Sequence, residues 1–207
     1  MRSCLQPFAY VLCMMLAGVL AAFPVAASGH GPWNAQVLEG GVGLKKPLPP
    51  TSPAIAANGD WSMHAWIRAD RLPDARILLA GAGDPQATQA RYFAVERGRL
   101  GFWSGDGRWL GSSAQLQPGR WHLVAAVARD GRLSLLLDSR QVASAAIPRD
   151  AVAPMLVLGP HLQPWADASH FSGLIAGFTL APRALSDAQL AAAGAQAPDP
   201  VLTRYEQ

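Results

Sequence analysis

The sequence predicts an all-β protein, built as an antiparallel two-sheet sandwich with one short helix near its C-terminus. Apolar and polar residues alternate with period two along short runs, as in WSMHAWIR at residues 61–68, and this alternation is typical of strands. Turn sequences rich in glycine and aspartate separate the runs, as in GDG at residues 105–107. A helix start is clearly signalled only by SDAQ at residues 186–189.

The strand pattern continues through most of the chain. The further runs with strand character are residues 76–80, 91–96, 100–103, 108–112, 142–147, 155–158 and 171–180. About ten to twelve short strands joined by tight turns favour a sandwich of two antiparallel sheets.

Residues 119–147, GRWHLVAAVARDGRLSLLLDSRQVASAAI, contain two apolar runs joined by a turn at Arg129-Asp130-Gly131. The alternation predicts that Trp121 lies on the core face of its strand and that His122 lies on the opposite face. Asp138 falls at the end of the second run, where a turn residue is expected. The stretch therefore indicates a hairpin rather than a chemical site.

The helix near the C-terminus has a recognisable start and end. Ser186 with Gln189 three residues later forms a capping box, in which each residue satisfies a backbone N–H of the other. Residues 188–193 are mostly alanine and favour helix, and Pro198 and Pro200 prevent its continuation.

The composition is that of a globular domain. Half of the residues are hydrophobic and 15% are charged, which is too apolar for a disordered chain. The net charge is +3, and Lys45-Lys46 is the only adjacent pair of basic residues. Because the basic residues form no stripe, we predict no nucleic-acid partner.

Residues 1–27 are predicted to be a secretory signal peptide. Arg2 is followed by an apolar stretch from Phe8 to about Val25, which ends in small residues typical of a cleavage site. The alternative is an uncleaved membrane anchor, but the short stretch and Pro24 favour cleavage. We expect a secreted or periplasmic protein without membrane contact after cleavage.

Both cysteines, Cys4 and Cys13, lie in this leader, so the remaining chain is expected to enter an oxidising compartment without disulfides. A chain of about 180 residues can bury a core sufficient for stability. We predict one β-sandwich domain at residues 28–195 and a tail or linker at residues 196–207.

The order of several segments resembles the laminin-G-like, concanavalin A-like jelly-roll module of bacterial secreted proteins. The resemblance spans residues 33–195 and is carried by GDWSMHAWI at 59–67, GRWHLVA at 119–125, FSGLIA at 171–176 and RALSDAQL at 183–190. It implies a jelly-roll sandwich of the lectin and glucanase type. It also implies non-catalytic recognition of a glycan or of a cell-surface or secreted protein. The alternative is an accessory module that packs on a partner enzyme or a fused domain.

Two positions depart from the family's pattern. The family usually has Asp-Gly where this chain has Asp138-Ser139, and the missing glycine predicts a longer or different turn. The family's closing strand often carries acidic residues where this chain has Leu174-Ile175-Ala176. If those acids hold calcium or ligand in relatives, this chain has lost them.

A glycan-cleaving enzyme is the third interpretation, and the carboxylates do not favour it. Glycoside hydrolysis uses two nearby carboxyl groups. None of the three glutamates, Glu39, Glu96 and Glu206, has an acidic residue two or four positions away, and Asp-x-Asp does not occur. We therefore expect no enzymatic activity and name no catalytic residue.

The candidate ligand-binding residues are Trp103, Asp106, Trp109 and Trp165. Trp103 and Trp109 flank a predicted hairpin tip that contains Asp106, and Trp165 lies in a second loop. Aromatic residues at loop tips can stack on the apolar faces of sugars or anchor protein contacts. The competing interpretation is that they close the ends of the sandwich.

No cofactor and no metal site is predicted, although calcium remains an option. Asp84 and Asp138 are the candidate calcium ligands, because calcium takes oxygen ligands from loops. The competing interpretation is that each aspartate begins a turn.

Overall fold

The structure is a computed structural model. It describes residues 55–72, 74–105, 107–153, 155–159 and 171–198, together with the backbone of two strands at 36–38 and 44–47. These residues belong to one compact unit, Pro32–Gln207. The predicted signal peptide and most of the predicted tail lie outside them, so both stay predictions. Within the described ranges, no helix has the length and apolar character needed to cross a membrane.

The described residues form twelve strands and one helix. The strands are β1 Gln36–Leu38, β2 Leu44–Pro47, β3 Trp61–Ala69, β4 Ile77–Ala82, β5 Arg91–Glu96, β6 Arg99–Trp103, β7 Trp109–Gln115, β8 His122–Arg129, β9 Arg132–Leu137, β10 Arg140–Ala146, β11 Met155–Leu158 and β12 Gly173–Ala181. The helix, α1, is Asp187–Gly194.

The strands make two six-stranded sheets. Sheet 1 has the order β1-β12-β3-β8-β9-β10, and sheet 2 has the order β2-β11-β4-β5-β6-β7. Every strand pair in both sheets is antiparallel. The prediction of an all-β, antiparallel two-sheet sandwich with a short C-terminal helix is confirmed.

The main core lies between the sheets. Trp61, Met63 and Ile67 of β3 point into it, as the period-two pattern predicts, and all three are almost completely buried. The Trp61 ring stacks on Phe102 of β6, with 6.1 Å between the ring centroids. This contact ties β3 of sheet 1 to β6 of sheet 2.

The faces predicted for β8 are reversed. Val124 and Ala126 point into the core between the sheets, whereas Leu123 and Ala125 lie on the outer face of sheet 1. Trp121 therefore lies on the outer side and is partly buried, while His122 is buried. The prediction failed because β8 is buried on both faces, so HLVAAVAR contains no polar alternation that would distinguish them.

The turn between β9 and β10 is also different from the prediction. Leu137 pairs with Arg140, so Asp138 and Ser139 alone form a two-residue hairpin. Both have positive φ, 49° and 65°, as a type I′ turn requires. The Asp138 carboxylate holds the turn by accepting a hydrogen bond from the Leu123 N–H at 3.0 Å, which offsets the missing glycine.

Helix α1 packs on the outer face of sheet 1, and its predicted capping box is present. The Ser186 hydroxyl accepts from the Gln189 N–H at 3.3 Å, and the Gln189 side chain accepts from the Ser186 N–H at 3.0 Å. Ahead of the helix, the Ser62 hydroxyl of β3 accepts from the Leu185 N–H at 2.8 Å. Leu190 is buried against the sheet. The helix therefore has a fixed position across part of this face.

Candidate functional site

Trp103 and Trp109 are directly paired across β6 and β7, so both side chains lie on the outer face of sheet 2. They belong to a surface that we call the aromatic face. Its members are Leu78, Ala90, Tyr92, Ala94, Trp103 and Val157, with Trp109 and Met155 packed against them. Trp103 is only 7% exposed, and its ring centroid lies 6.0 Å from that of Tyr92. Trp103 is therefore a packing residue in this structure.

Tyr92 closes the middle of the aromatic face. It has no exposed surface, and its hydroxyl donates to the carbonyl of Gly83. The ring occupies the space above Gly81, where a Cβ atom would come within 2.5 Å of it. Burial raises the pKa of the Tyr92 phenol far above its ordinary value, and the Asp84 carboxylate adds to the shift.

Trp109 is partly exposed but already packed. A Cβ atom at Gly101 would lie 2.1 Å from its ring, so the absence of a side chain there makes room for the indole. The Arg76 guanidinium lies over the ring, 4.1 Å from the centroid, and bonds to Glu96 at 2.8 Å. A sugar stacked on this ring would have to displace Arg76. Asp106 and Trp165 lie outside the described residues, so their assignment as ligand-binding residues stays a prediction.

The two candidate calcium ligands lie in separate turns and make local hydrogen bonds. Asp84 follows β4, and its carboxylate accepts from the Gln86 N–H at 3.0 Å, as in a turn. Asp138 follows β9 and contacts His122 and the Leu123 N–H. Among the residues that the structure describes, no three His, Cys, Asp or Glu side chains are grouped as metal ligands.

The buried His122 ring pairs with the Asp138 carboxylate, which is itself exposed to solvent. The His122 Nε2 atom accepts from the Gln117 N–H at 3.0 Å, so the ring proton is assigned to Nδ1, which lies 2.9 Å from the Asp138 Oδ2 atom. Both ring nitrogens are thus occupied by protein groups. The pair fixes the start of β8 against the β9–β10 turn.

A groove that the sequence analysis did not identify runs beside α1 on the outer face of sheet 1. Its volume is about 570 Å³. We call it the α1 groove, and it is lined by Val127, Arg129, Asp130, Arg132, Ser134, Leu136, Ser139, Gln141, Leu185, Asp187 and Leu190. It exists because the eight-residue helix covers only part of the sheet.

The α1 groove combines an apolar floor with a polar rim. Val127 and Leu136 of the sheet, with Leu185 and Leu190 of the helical segment, supply buried apolar side chains. The polar side chains are two guanidinium groups, two carboxylates, two hydroxyls and one amide, from Arg129, Arg132, Asp130, Asp187, Ser134, Ser139 and Gln141. Donors and acceptors that converge above an apolar floor are typical of small-ligand sites and suit a hydroxyl-rich ligand.

Strand alternation places the polar side chains of β9 in the groove. Leu133 and Leu135 point into the core, so Arg132 and Ser134 point outward. The alternation of polar and apolar residues is visible in RLSLLL, but the sequence does not show that a helix packs beside this strand. The sequence therefore shows which residues of β9 face outward, but it does not show that α1 makes a groove beside them.

A smaller cavity of about 300 Å³ lies at the β6–β7 hairpin. It is lined by Phe102, Ser104, Arg108, Trp109, Leu110, Leu133, Ala145, Ala146 and Ile147. Several of these residues belong to the core between the sheets. The cavity therefore opens to solvent near the hairpin and reaches the core, and it carries fewer polar side chains than the α1 groove.

Comparisons with solved structures match the fold at low sequence identity. A native heptameric SAP-like pentraxin from Limulus polyphemus is 13% identical over 77% of this chain and 84% of that chain, with a TM-score of 0.53. Domain 4 of AbnA, a GH43 extracellular arabinanase from Geobacillus stearothermophilus, in complex with arabinotriose, is 20% identical over 75% and 74%, with a TM-score of 0.55.

The ligand-binding domain of botulinum neurotoxin serotype D in complex with N-acetylneuraminic acid is 13% identical, with a TM-score of 0.59. The match covers 78% of this chain and 44% of that chain, so the chain spans less than half of that domain. No curated protein matches the sequence.

The sequence itself matches a family model. Residues 47–191, more than half of the chain, match the model described as the concanavalin A-like lectin/glucanases superfamily. The matched range includes eleven of the twelve strands in whole or in part, and most of α1. The two antiparallel sheets have the architecture expected of that group. The chain therefore belongs to the concanavalin A-like lectin/glucanases superfamily.

Proposed function

We propose that this protein is a non-catalytic glycan-recognition module that binds its ligand in the α1 groove. The observation that carries the proposal is the groove itself, in which seven polar side chains surround an apolar floor. A sugar presents hydroxyl groups on its edges and C–H groups on its faces, so it matches both parts. Two similar structures contain a bound saccharide, arabinotriose or N-acetylneuraminic acid, which supports this ligand class at the level of fold.

The positions of the carboxylates support binding rather than catalysis. Glu96 is paired with Arg76, Asp150 with Arg91, and Asp138 with His122. In the groove, Asp130 lies in the β8–β9 turn, and Asp187 lies in the first turn of α1, where a negative charge stabilises the helix. The three paired carboxylates and that of Asp187 therefore each have a structural role, which supports a function other than catalysis. Release of reducing sugar by the purified protein would overturn the non-catalytic part of the proposal.

Secretion is a further part of the proposal. It depends on the leader-like residues 1–27, with their apolar stretch and small-residue cleavage site. Expression of the full chain in a bacterial host, followed by mass spectrometry of the exported protein, tests it. We expect an N-terminus at Ser28, and exclusive recovery of the uncleaved chain would contradict the prediction.

The groove is tested by filling it. Ser134 is half-buried and points into the groove, so Ser134→Phe places a ring where the ligand would lie. Ser113→Phe is the matched control, because Ser113 is exposed on β7 of sheet 2. We expect Ser134→Phe to abolish retention on a polysaccharide panel and Ser113→Phe to retain it, with both variants folded by circular dichroism.

Two results would count against the proposal. Wild-type retention by the Ser134→Phe protein would exclude the groove as the site. Failure of the wild-type protein to bind any glycan on the panel would reject glycan recognition and favour the accessory-module interpretation.

A further inference from the structure

We propose that the α1 groove selects acidic glycans, whose carboxylate is held between Arg129 and Arg132. The inference rests on the proposed function of the same groove and adds the chemical class of the ligand. It is carried by the position and the charge of these two arginines at one end of the groove.

Arg129 and Arg132 are the closing pair of the β8–β9 hairpin. Their backbones pair directly across the two strands, and only Asp130 and Gly131 separate them in sequence. Both turn residues have positive φ, 50° and 73°, so this is a tight two-residue turn. Directly opposed residues have Cβ atoms about 4.5–5.5 Å apart on the same face of a sheet. The two arginine side chains therefore extend from neighbouring points on the outer face of sheet 1.

Like charges at directly opposed positions repel each other, and no group in the described part of the chain neutralises them at contact distance. Among the residues that the structure describes, the guanidinium groups of Arg129 and Arg132 have no hydrogen-bond or ion-pair partner. Other arginines of the domain are engaged: Arg76 pairs with Glu96, and the buried Arg91 pairs with Asp150. The groove therefore contains two guanidinium groups that do not stabilise the fold through an ion pair.

The groove also contains two carboxylates, but neither is in contact with these arginines. The Asp130 side chain projects from the turn, while its backbone N–H donates to Asp60 at 3.0 Å. Asp187 lies at the start of α1, where the helix terminus stabilises its charge. Within the described part of the chain, no ion pair links either carboxylate to Arg129 or Arg132. Both acids are thus placed to accept hydrogen bonds from sugar hydroxyls.

A sugar carboxylate would complete this arrangement. Its two oxygens accept the paired N–H groups of a guanidinium fork, which gives charge-assisted and directional hydrogen bonds. It would also relieve the repulsion between the two arginines. A neutral sugar cannot do this, because it leaves two like charges facing each other in the occupied groove. The groove should therefore prefer the acidic form of a saccharide over a neutral form of the same shape.

The test compares acidic polysaccharides with their own carboxyl-reduced forms, which keep the sugar backbone and lose the charge. The panel contains uronic-acid and sialic-acid polymers. The binding variant is Arg129→Gln with Arg132→Gln. The control is Arg99→Gln with Arg140→Gln, which changes the net charge equally at two exposed arginines that do not line the groove.

We expect the wild-type protein to bind at least one acidic polymer about tenfold or more tightly than its reduced form, since a charge-assisted bond contributes at least this much. The groove variant should lose this preference, and the control variant should keep it. The groove variant should also melt about 1–2 °C higher than wild type, because a repulsive pair has been removed. A gain in thermal stability together with a loss of binding distinguishes ligand recognition from a structural role.

The outcomes are separable. Equal binding of acidic and reduced forms would overturn the acid selectivity and leave glycan recognition intact. Loss of the preference in the control variant as well would assign it to overall charge and overturn the role of Arg129 and Arg132. Binding to no glycan of either form would reject both the inference and the proposed function.

Discussion

The two sheets of the sandwich cover their outer faces by different means. Sheet 2 uses its own side chains: the Tyr92 ring packs on Trp103 at a tilt, and Tyr92 and Trp109 each lie against a glycine position. Sheet 1 is covered by α1, which packs on only part of the face and leaves the α1 groove beside it. Trp103 and Trp109, two of the aromatic residues predicted to bind a ligand, are therefore largely occupied by packing. The open groove is instead lined by polar residues that do not stand out in the sequence.

Trp103→Ala tests whether the aromatic face stabilises the fold, and it is expected to have the largest effect on stability. Trp103 is buried against Tyr92, so its removal should lower the free energy of unfolding by about 3–5 kcal/mol. Denaturant unfolding measures this change, with Trp103→Phe as a milder control. Glycan retention by the folded variant should equal that of wild type. Lost retention with unchanged stability would instead make Trp103 a ligand-binding residue.

Gly101→Ala tests whether Trp109 depends on the space above a glycine. The added Cβ would lie 2.1 Å from the indole, which must move away from the sheet. We expect a loss of about 1–3 kcal/mol in unfolding free energy and a red shift of tryptophan fluorescence. Ser113→Ala, at an exposed position of β7, should change stability little. Unchanged fluorescence in Gly101→Ala would show that the indole does not need this space.

The pH dependence of stability tests whether Tyr92 is closed from solvent. Burial raises its pKa in the folded state, so its contribution is complete below the ordinary tyrosine pKa near 10 and is lost as the pH rises above it. Above about pH 10, wild-type stability should fall by up to about 1.4 kcal/mol per pH unit from this group. Tyr92→Phe lacks this decline, so the stability gap between the two proteins should narrow above pH 10. A constant gap from pH 8 to 11 would mean that Tyr92 ionises normally in the folded protein.

Arg76→Ala is expected to have the smallest effect on stability. Removing the guanidinium takes away the partly exposed ion pair with Glu96 and the cation–π contact with Trp109, together worth about 1 kcal/mol or less. Thermal melting measures this change. Glycan retention should not change, because Arg76 lies on sheet 2. Stronger retention in this variant would indicate that the uncovered Trp109 ring binds sugar. The binding site would then lie at the β6–β7 hairpin and not in the α1 groove.

Structural features that depend on residues close together in the sequence were predictable. The alternation in β3 correctly placed Met63 and Ile67 in the core, and Ser186 with Gln189 correctly marked the start of α1. The superfamily could also be identified, because its characteristic phrases lie within these regular elements.

Features that depend on distant packing were not predictable in the same way. The face of His122 was assigned incorrectly because β8 is covered by α1 on its outer side. Trp103 gave no sign of its burial, which comes from contact with β5. Ser134 of β9 and Asp187 of α1 line the same groove, and no local pattern relates residues so far apart in the chain.

The most direct measurement is calorimetric titration of the best-retained glycan into Ser134→Phe and Trp109→Ala proteins in parallel. The first variant fills the α1 groove, and the second removes the most exposed tryptophan of the aromatic face. We expect binding at least about tenfold weaker for Ser134→Phe, and within about twofold of wild type for Trp109→Ala. The reverse result, with binding lost in Trp109→Ala and kept in Ser134→Phe, would contradict the placement of the glycan in the groove.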